Sequence, residues 1–454
     1  MNSMQNINPS SLIYNNIFHL NKYDKKRMII TFITLFILLM TPLLGLQREL
    51  NFIFFSIIIF LYSLLSLRLI FGLFIILLPI PFVATIGPVN INLMDIITST
   101  FFFHLLISKE KSIPKRFINF NNLIIAYYLF FFIWTINGPL SLNILTLLLR
   151  YVFEPLVIYF TAKKIIKSKK ELIIIIELLI FSTFISSIFA LYQFTFLFDK
   201  PAWRELYTSM VEYGFYPDYE FAFDKSDNII YRKPSGFFQY GGELSCFIPV
   251  VIYLALYYLK TFKLKRFKYY LIIFSLIIMF IALILSFTRG MVFAFIISFI
   301  FYILFVDKKL FIMFLLFSIL VLIMSINYIP KYMVQGYLLQ QRSETMSTRF
   351  RLTKEALEEI KNVKVLIFGT TDPDRPQSHN KFVDELHTKG ILGFLIYITL
   401  QIKLLKYALR KRKKYLLFPL LIFWALVSLT TAAPYGTYQT HFLFPLILII
   451  CIII

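Results

Sequence analysis

Two kinds of side chain in this sequence are suited to chemistry on a phosphate-bearing substrate. His379 lies in FGTTDPDRPQSHNKF (368–382), a loop rich in Gly, Pro and Asp. A histidine can act as a general base near neutral pH. Arg349 and Arg351 belong to STRFRLTKEALEEIKN (347–362), and an arginine offers a phosphate a fixed fork of donors. The alternative for His379 is a loop histidine bonded to backbone, and this alternative is stronger for His387.

Four further charged residues lie in or beside apolar runs. Arg289, in SFTRG (286–290), separates two such runs, so it either extends to lipid headgroups or faces a water-filled cavity. Arg150 and Glu154 are four residues apart, which predicts a structural intramembrane ion pair. Asp95 is expected in the first turn of a helix, where a carboxylate can be structural.

The composition predicts the element type that must hold these residues. Of the 454 residues, 59% are hydrophobic and 15% are charged, which excludes an ordinary soluble domain. Stretches such as 271–287 approach the roughly 20 apolar residues that a membrane span needs. Backbone polar groups in lipid must be satisfied within their own segment, which requires helices. We therefore predict an all-α polytopic membrane protein with about 14 transmembrane helices.

The first and last residues of the predicted helices are defined to within a few positions. They span 28–46, 50–67, 69–87, 91–108, 120–137, 141–162, 171–197, 241–259, 269–287, 290–306, 310–327, 390–408, 414–430 and 440–454. Cys246 and Cys451 both lie in apolar runs, so neither a disulfide framework nor a thiolate metal site is expected.

Alternate connections between these helices are short and basic, for example KKIIKSKK (163–170) and KTFKLKRFK (260–268). The positive-inside rule places them in the cytoplasm. The net charge of +22 is then mostly a topology signal and needs no nucleic-acid partner. The predicted order is a cytoplasmic segment 1–27, transmembrane helices in 28–197, an external loop 198–240, helices in 241–327, a second external loop 328–389 and helices in 390–454.

The second external loop is expected to contain an amphipathic helix at 347–362. Phe350, Leu357 and Ile360 are spaced by seven and three residues and share one helical face. Such a helix would lie at the membrane surface and project Arg349 or Arg351 toward the site. His379 would follow it, close to the next transmembrane helix.

Together these segments resemble the O-antigen ligase and O-antigen polymerase superfamily over roughly residues 185–400. The matching elements occur in the family's order and on its predicted side of the membrane. They are ALYQF (190–194), PSGFFQYGGELSCF (234–247), SFTRG (286–290), STRFRLTKEAL (347–357), the turn at Phe368 and Gly369, SHNKFVDEL (378–386) and KGILGFL (389–395).

The resemblance implies a metal-independent glycosyltransferase of the bacterial inner membrane, without a cofactor, whose active site faces the periplasm or exterior. The donor would be an undecaprenyl-diphosphate-linked oligosaccharide. Arg289 and Arg349 would stabilise the diphosphate charge, and His379 would accept or orient the acceptor proton. The residues assigned to substrate binding are Arg351, Arg342, Asn380, Gly236 and Gln193. The expected partners are the lipid-linked donor, the lipid bilayer and a polysaccharide chain-length regulator.

Three functions remain open on the sequence. A polymerase and a ligase share the donor chemistry and differ in the acceptor, which is another lipid-linked repeat unit or the lipid A core. The sequence favours a polymerase slightly, because no lipid A-core site is recognisable. A flippase of lipid-linked oligosaccharides is the alternative from another class, but no internal repeat of the kind many transporters carry is visible.

The basic loops generate a prediction about orientation. Cysteine labels near residues 113, 166, 264 and 412 should react only from the cytoplasm, and labels near 220 and 365 only from outside, because the loops alternate in basic charge. Accessibility to an impermeant maleimide in intact cells measures this. External labelling at 166 or 412 would reverse the orientation and remove the proposed outer-face chemistry.

Overall fold

The architecture is taken from a computed structural model that describes part of the chain. The described residues are 53, 56–60, 66–79, 83–86, 89–107, 122–129, 132, 148–195, 220–223, 229–233, 236, 241–286, 288–305, 342–370, 380–410 and 417–430. The helices predicted at 28–46, 310–327 and 440–454 lie outside them.

The described part of the chain is mostly helical. Its helices are α1 (Leu67–Leu77), α2 (Leu93–Ile107), α3 (Glu154–Ile165), α4 (Lys169–Thr195), α5 (Gly241–Thr261), α6 (Arg266–Leu285), α7 (Arg289–Phe305), α8 (Arg342–Ile360), α9 (Val363–Phe368), α10 (Lys381–Arg410) and α11 (Leu417–Thr430). A π-helical turn, Leu149–Phe153, precedes α3, and residues 122–129 are also helical.

Two antiparallel hairpins correct the expectation of helices alone. Strands β1 (Val83–Ile86) and β2 (Val89–Asn92) pair with Val83 opposite Asn92. Strands β3 (Glu220–Phe223) and β4 (Ile229–Lys233) form the second hairpin, inside the predicted first external loop. The helix predicted at 69–87 therefore ends at Leu77, since the following segment is rich in β-branched residues, which favour extended backbone.

Four helices in the described residues are long and apolar enough to cross a membrane. These spans are Lys169–Gln193, Gly242–Thr261, Arg266–Leu285 and Lys381–Leu409. Helices α1, α2, α7 and α11 contain shorter apolar segments. The chain is a membrane protein, and the described residues account for four of the predicted spans.

Helix α5 is the centre of the helical packing. It contacts α4, α6, α7 and α11. Its residues from Leu244 to Tyr258 are buried almost continuously, as expected of a helix without a charged side chain between Glu243 and Lys260. A polar group inside this core is stabilised by a hydrogen bond, because an unpaired one is costly in an apolar setting. Tyr253 hydrogen-bonds to Ser298 of α7 in this way.

Local hydrogen bonds fix where two of the helices begin. At the start of α4, the backbone N–H of Ser168 donates to Glu171 Oε2 at 2.8 Å, and Glu171 N–H donates to Ser168 Oγ at 3.4 Å. At the start of α2, Asn92 N–H donates to Asp95 Oδ2 at 2.7 Å, and Met94 N–H to Asn92 Oδ1 at 3.1 Å. Both are capping arrangements, which stabilise a helix start by satisfying its free N–H groups.

Helix α10 differs from the helix predicted at 390–408 in its first residue and in its backbone conformation at Gly390. It begins at Lys381, nine residues earlier, and its backbone leaves the helical conformation at Gly390, where φ is 64° and ψ is −174°. Residues 381–389 thus form a polar helical segment before the apolar part. Residues 381–389, predicted as the end of the second external loop, are therefore helical.

Replacing Gly390 with alanine should destabilise the protein. A Cβ at this position would lie 2.2 Å from the backbone oxygen of Ile367 and would have to tolerate a positive φ. We expect the free energy of unfolding to fall by about 2 kcal/mol or more, measured as thermal unfolding in detergent. Gly242→Ala is the matched control, since its Cβ would meet nothing within 4 Å. Equal melting temperatures for the two variants would contradict the packing described here.

Candidate functional site

Helices α8, α9 and α10 contact one another, and α8 carries three of the arginines assigned to chemistry. Arg342, Arg349 and Arg351 belong to α8, and Asn380 immediately precedes α10. Helix α8 packs through Ala356 and Ile360, which are both buried. Phe350 and Leu357 are exposed, and the apolar face predicted for Phe350, Leu357 and Ile360 at the membrane surface stays a prediction.

Several predicted residues have no described side chain. His379 lies outside the described residues. The backbones of Arg289, Arg342 and Arg349 are helical, and their side chains lie outside the described part of the structure. Their roles stay predictions. The side chain of Arg351 is described: it is largely exposed, and its Nε lies 3.8 Å from Glu355 Oε1.

Asn380 is the N-terminal cap of α10. Its side-chain Oδ1 accepts hydrogen bonds from the backbone N–H groups of Phe382 at 3.1 Å and Val383 at 3.3 Å. Its carbonyl oxygen accepts the N–H of Asp384 at 2.9 Å. A capping asparagine has a fixed side-chain orientation. The preceding residue, His379, is therefore attached directly to a defined helix start.

Two glycines allow the backbones of α9 and α10 to touch. Gly369 ends α9 with φ 82°, and a Cβ on it would lie 2.1 Å from the carbonyl oxygen of Thr388. A Cβ on Gly390 would lie 2.8 Å from Gly369 N. Thr370 N–H donates to the carbonyl oxygen of His387 at 2.8 Å. Side chains larger than hydrogen at either glycine would force these segments apart.

A polar contact also joins α8 to α10. His387 Nε2 lies 2.8 Å from Glu359 Oε2, with the imidazole buried and the carboxylate about half exposed. No pattern in the sequence indicates a role for this histidine beyond a loop contact. In the structure it connects the helix that carries the arginines to the helix that follows His379.

A buried ionic cluster lies on one side of the first part of α10. Glu385 is fully buried, and its carboxylate is 2.8 Å from Lys381 Nζ and 2.6 Å from Lys389 Nζ. Tyr127, in the helical segment 122–129, donates its hydroxyl to Glu385 at 3.0 Å. Lys389 Nζ also lies 2.7 Å from Tyr127 Oη and 4.2 Å from the centre of its ring. The cluster fixes α10 against that segment.

Sequence reasoning missed this cluster, although a signal was present. Lys381, Glu385 and Lys389 follow one another at intervals of four, the spacing at which opposite charges meet on a helix. Because residues 328–389 are predicted to form an external loop, this interval is not recognised from the sequence as one face of a helix. Tyr127 had no comparable signal, since its contact depends on how distant segments pack.

Gln193 and Gly236, both predicted to bind substrate, contact each other. Gln193 Nε2 donates to Gly236 O at 3.0 Å, and Gly236 N donates to Gln193 Oε1 at 2.9 Å. Gly236 has φ 62°, and a Cβ there would lie 2.5 Å from the backbone oxygen of Ser186. The paired amide thus anchors the chain before α5 onto α4. Their substrate-binding role stays a prediction.

A similar contact lies beside Arg289. Ser245 of α5 donates to Ser286 Oγ at 2.7 Å, and Ser286 donates to the Leu283 carbonyl at 2.6 Å. Both serines are fully buried. The segments 234–247 and 286–290, distant in sequence, therefore meet in the structure just before α7 begins.

The structure gives Arg150 a partner on another helix. Arg150 Nη2 lies 3.1 Å from Asp95 Oδ2, so the carboxylate that caps α2 also binds this arginine. Glu154 is buried at the start of α3. The π-helical turn between Arg150 and Glu154 changes the angular relation of residues four apart. The Arg150–Glu154 pair stays a prediction, alongside the observed pair with Asp95.

The described residues contain no group of three or more His, Cys, Asp or Glu side chains that could hold a metal ion. What they do contain is a set of helices whose termini are fixed by caps, glycine contacts and buried ionic bonds. Such a scaffold can hold a histidine and several arginines in constant positions, as acid–base and electrostatic catalysis both require.

The buried cluster predicts an order of stabilities. Glu385→Leu removes the shared carboxylate from two lysines and should lower the free energy of unfolding by about 3–5 kcal/mol. Lys389→Met leaves Lys381 and Tyr127 to interact with Glu385 and should cost less. Lys354→Met is the matched control, because Lys354 is exposed and its Nζ lies 3.9 Å from Glu358 Oε1. It removes a lysine from an ion pair at the surface, not from a buried one. Thermal unfolding in detergent gives the order, and a larger loss for Lys389→Met than for Glu385→Leu would contradict it.

Comparison with known proteins bears on the same part of the chain. A comparison with curated proteins found no match. A protein-family model described as O-antigen ligase matches residues 274–398, a region that begins within α6, ends within α10 and includes Arg289, Arg349 and His379. The members of that family are glycosyltransferase-like enzymes of the ligase or polymerase type. Residues 274–398 are therefore similar to the O-antigen ligase family, which confirms the resemblance to the O-antigen ligase and O-antigen polymerase superfamily over this part of the chain.

Proposed function

We propose that this protein transfers oligosaccharide units from an undecaprenyl-diphosphate donor on the outer face of the inner membrane, as an O-antigen or surface-polysaccharide polymerase. The observation that carries the proposal is the family match at residues 274–398, a range that includes Arg289, Arg349 and His379. The apolar helices of this region suit a membrane, in which such a donor is anchored.

The donor chemistry explains why arginines are needed. The acceptor oxygen forms a bond to the anomeric carbon while the bond from that carbon to the diphosphate oxygen breaks. The leaving diphosphate gains negative charge in the transition state, so cations beside it stabilise that state more than the ground state. Arg289 and Arg349 take this role, with Arg351 and Arg342 as further donors to the phosphates.

The position of Arg289 suits an anionic ligand. Arg289 is the first residue of α7, and the first turn of that helix contains no acidic residue. A helix start already carries a partial positive charge from its free N–H groups, so a cation there is unfavourable unless an anion is nearby. A bound diphosphate would be stabilised by the guanidinium and by the helix start together.

His379 receives the proton of the acceptor hydroxyl or orients that hydroxyl. Its neighbour Asn380 caps α10, so we assign Asn380 a positioning role in addition to the substrate contact predicted from sequence. The contact between Glu359 and His387 supports this assignment, because it ties the arginine-bearing helix α8 to α10.

The donor is already activated and lies on the outer face of the inner membrane, so no nucleotide-sugar site is needed. In this proposal the arginines stabilise the leaving diphosphate in place of a metal ion. The polyprenyl tail would enter laterally between helices from the bilayer. A polysaccharide chain-length regulator is the further partner proposed for a polymerase.

A ligase is the second candidate, because the matched family model is described as O-antigen ligase and its members include enzymes of both types. Ligase and polymerase use the same donor and differ in acceptor, so a deletion strain separates them. Lipid A-core bearing a single repeat unit would indicate a lost polymerase. Core without any repeat, with polymer retained on undecaprenyl diphosphate, would indicate a lost ligase. A flippase is disfavoured by the match to an enzyme family.

Substitution of Arg289 and His379 tests the shared chemistry. Arg289→Ala and His379→Ala should each abolish or greatly reduce glycan transfer at near-normal membrane abundance. Arg289→Lys should recover part of the activity, because lysine supplies charge without the two-pronged geometry. Effects of the two alanine substitutions should be strongly non-additive. Glycan ladders on gels and immunoblots of membranes provide the measurements.

Lys354→Ala is the control for a lost cation, since Lys354 is an exposed residue of the same helix as Arg349. It should leave the ladder unchanged, whereas Arg349→Ala should shorten or remove it. His379→Gln should stay inactive if the histidine is a base and retain some activity if it only orients the acceptor. Wild-type ladders from both Arg289→Ala and His379→Ala would refute the proposal and restore the transporter hypothesis.

A further inference from the structure

Helix α9 exposes an unusual amount of apolar surface for a segment between two polar ones. Its sequence is VKVLIF, and none of its residues is buried. Val363 is 65% exposed and Phe368 is 67% exposed, while Ile367 is 38% exposed. Exposure of these apolar side chains to water is unfavourable in free energy. At six residues, α9 is far too short to cross a membrane, which takes roughly 20.

The contact with α10 indicates how this apolar surface lies relative to the apolar span of α10. The carbonyl oxygen of Ile367 would lie 2.2 Å from a Cβ on Gly390, so the end of α9 lies directly against Gly390. Gly390 also separates two parts of α10 that differ in composition. Residues 381–389 include the three charged residues of the buried cluster, and residues 391–400 are apolar apart from one threonine. The end of α9 is thus level with the point where α10 becomes apolar.

The part of α10 after Gly390 has the length of a membrane span. Residues 391–409 rise about 28 Å as an α-helix, close to the roughly 30 Å of a bilayer's hydrocarbon core. Ile391, Leu392 and Leu395 are exposed on this part of α10, as expected of side chains that face lipid. The exposed residues of α9 therefore begin where the lipid-facing surface of α10 begins.

We propose that α9 is an interfacial anchor whose Val363, Ile367 and Phe368 insert into the outer leaflet of the bilayer. The occupant of this surface is lipid, because the surface continues the lipid-facing surface of α10 and is too short for any spanning role. Lys361 and Lys364, both exposed, lie beside it and suit the phosphates of lipid headgroups.

The anchor would hold the site at a fixed depth. Backbone contacts through Gly369 and Gly390 connect α9 to α10, and the Glu359–His387 contact connects α10 to α8. An anchored α9 therefore keeps the start of α10 and the whole of α8 at the surface of the leaflet. This inference concerns lipid contact and is independent of the reaction proposed above.

Depth-dependent fluorescence quenching tests the anchor. Phe368→Cys and Val363→Cys are made in the full-length protein with Cys246 and Cys451 replaced by alanine, labelled with a small fluorophore and reconstituted in phosphatidylethanolamine–phosphatidylglycerol vesicles. Lipids carrying a nitroxide near the top of the acyl chain should quench both probes, and aqueous iodide should quench them weakly. Lys354→Cys, on the exposed face of α8, is the control and should show the reverse pattern.

Two outcomes would overturn the proposal. Quenching of the Phe368 and Val363 probes by iodide as strongly as the Lys354 probe would place α9 in water. Protection of both probes from iodide and from the lipid nitroxides would mean that protein covers the surface, either a second copy of the chain or another segment. Agreement between two probes on one helix guards against a local effect of a single label.

Discussion

The close approach of two backbones at Gly369 and Gly390 is the constraint on which the packing of α8, α9 and α10 depends. Both residues have positive φ, and both would carry a Cβ into the backbone of the opposite segment. The contact lets α10 change direction at Gly390 and separates its polar start from its apolar span. Because α9 ends at the same point, the arginine-bearing helix α8 and the start of α10 have fixed positions relative to that apolar span.

Polar contacts then bring distant segments together. Gln193 binds Gly236, Ser245 binds Ser286, and Glu359 binds His387. An unpaired polar group costs free energy in an apolar interior, so the two fully buried contacts, Gln193–Gly236 and Ser245–Ser286, are specific as well as stabilising. The residues in these contacts lie within, or next to, the segments that resemble the superfamily. Part of that resemblance therefore reflects the requirements of packing, in addition to those of catalysis.

Sequence patterns predicted helices well where a long apolar run sets both ends, as for α5 and α6. They failed where local β-branched residues and turns override hydropathy, as in the β1–β2 hairpin, and where a polar helix extends a span, as at the start of α10. For the site, single residues and their chemistry were visible in the sequence. Their partners were not: Tyr127 contacts Lys389 across 262 residues, and no local pattern encodes that separation.

The buried charges of α10 and the arginines assigned to catalysis follow different physical requirements. Glu385 has basic partners on its own helix and a tyrosine on another segment, so its charge is balanced within the protein. Such a cluster can stabilise and orient a helix without a ligand. Arg289, at the start of α7 with no acid in the first turn, adds positive charge where the helix is already electropositive. An arrangement of that kind is favourable when an anion binds, which distinguishes the residues that hold the site from those that would act on a diphosphate.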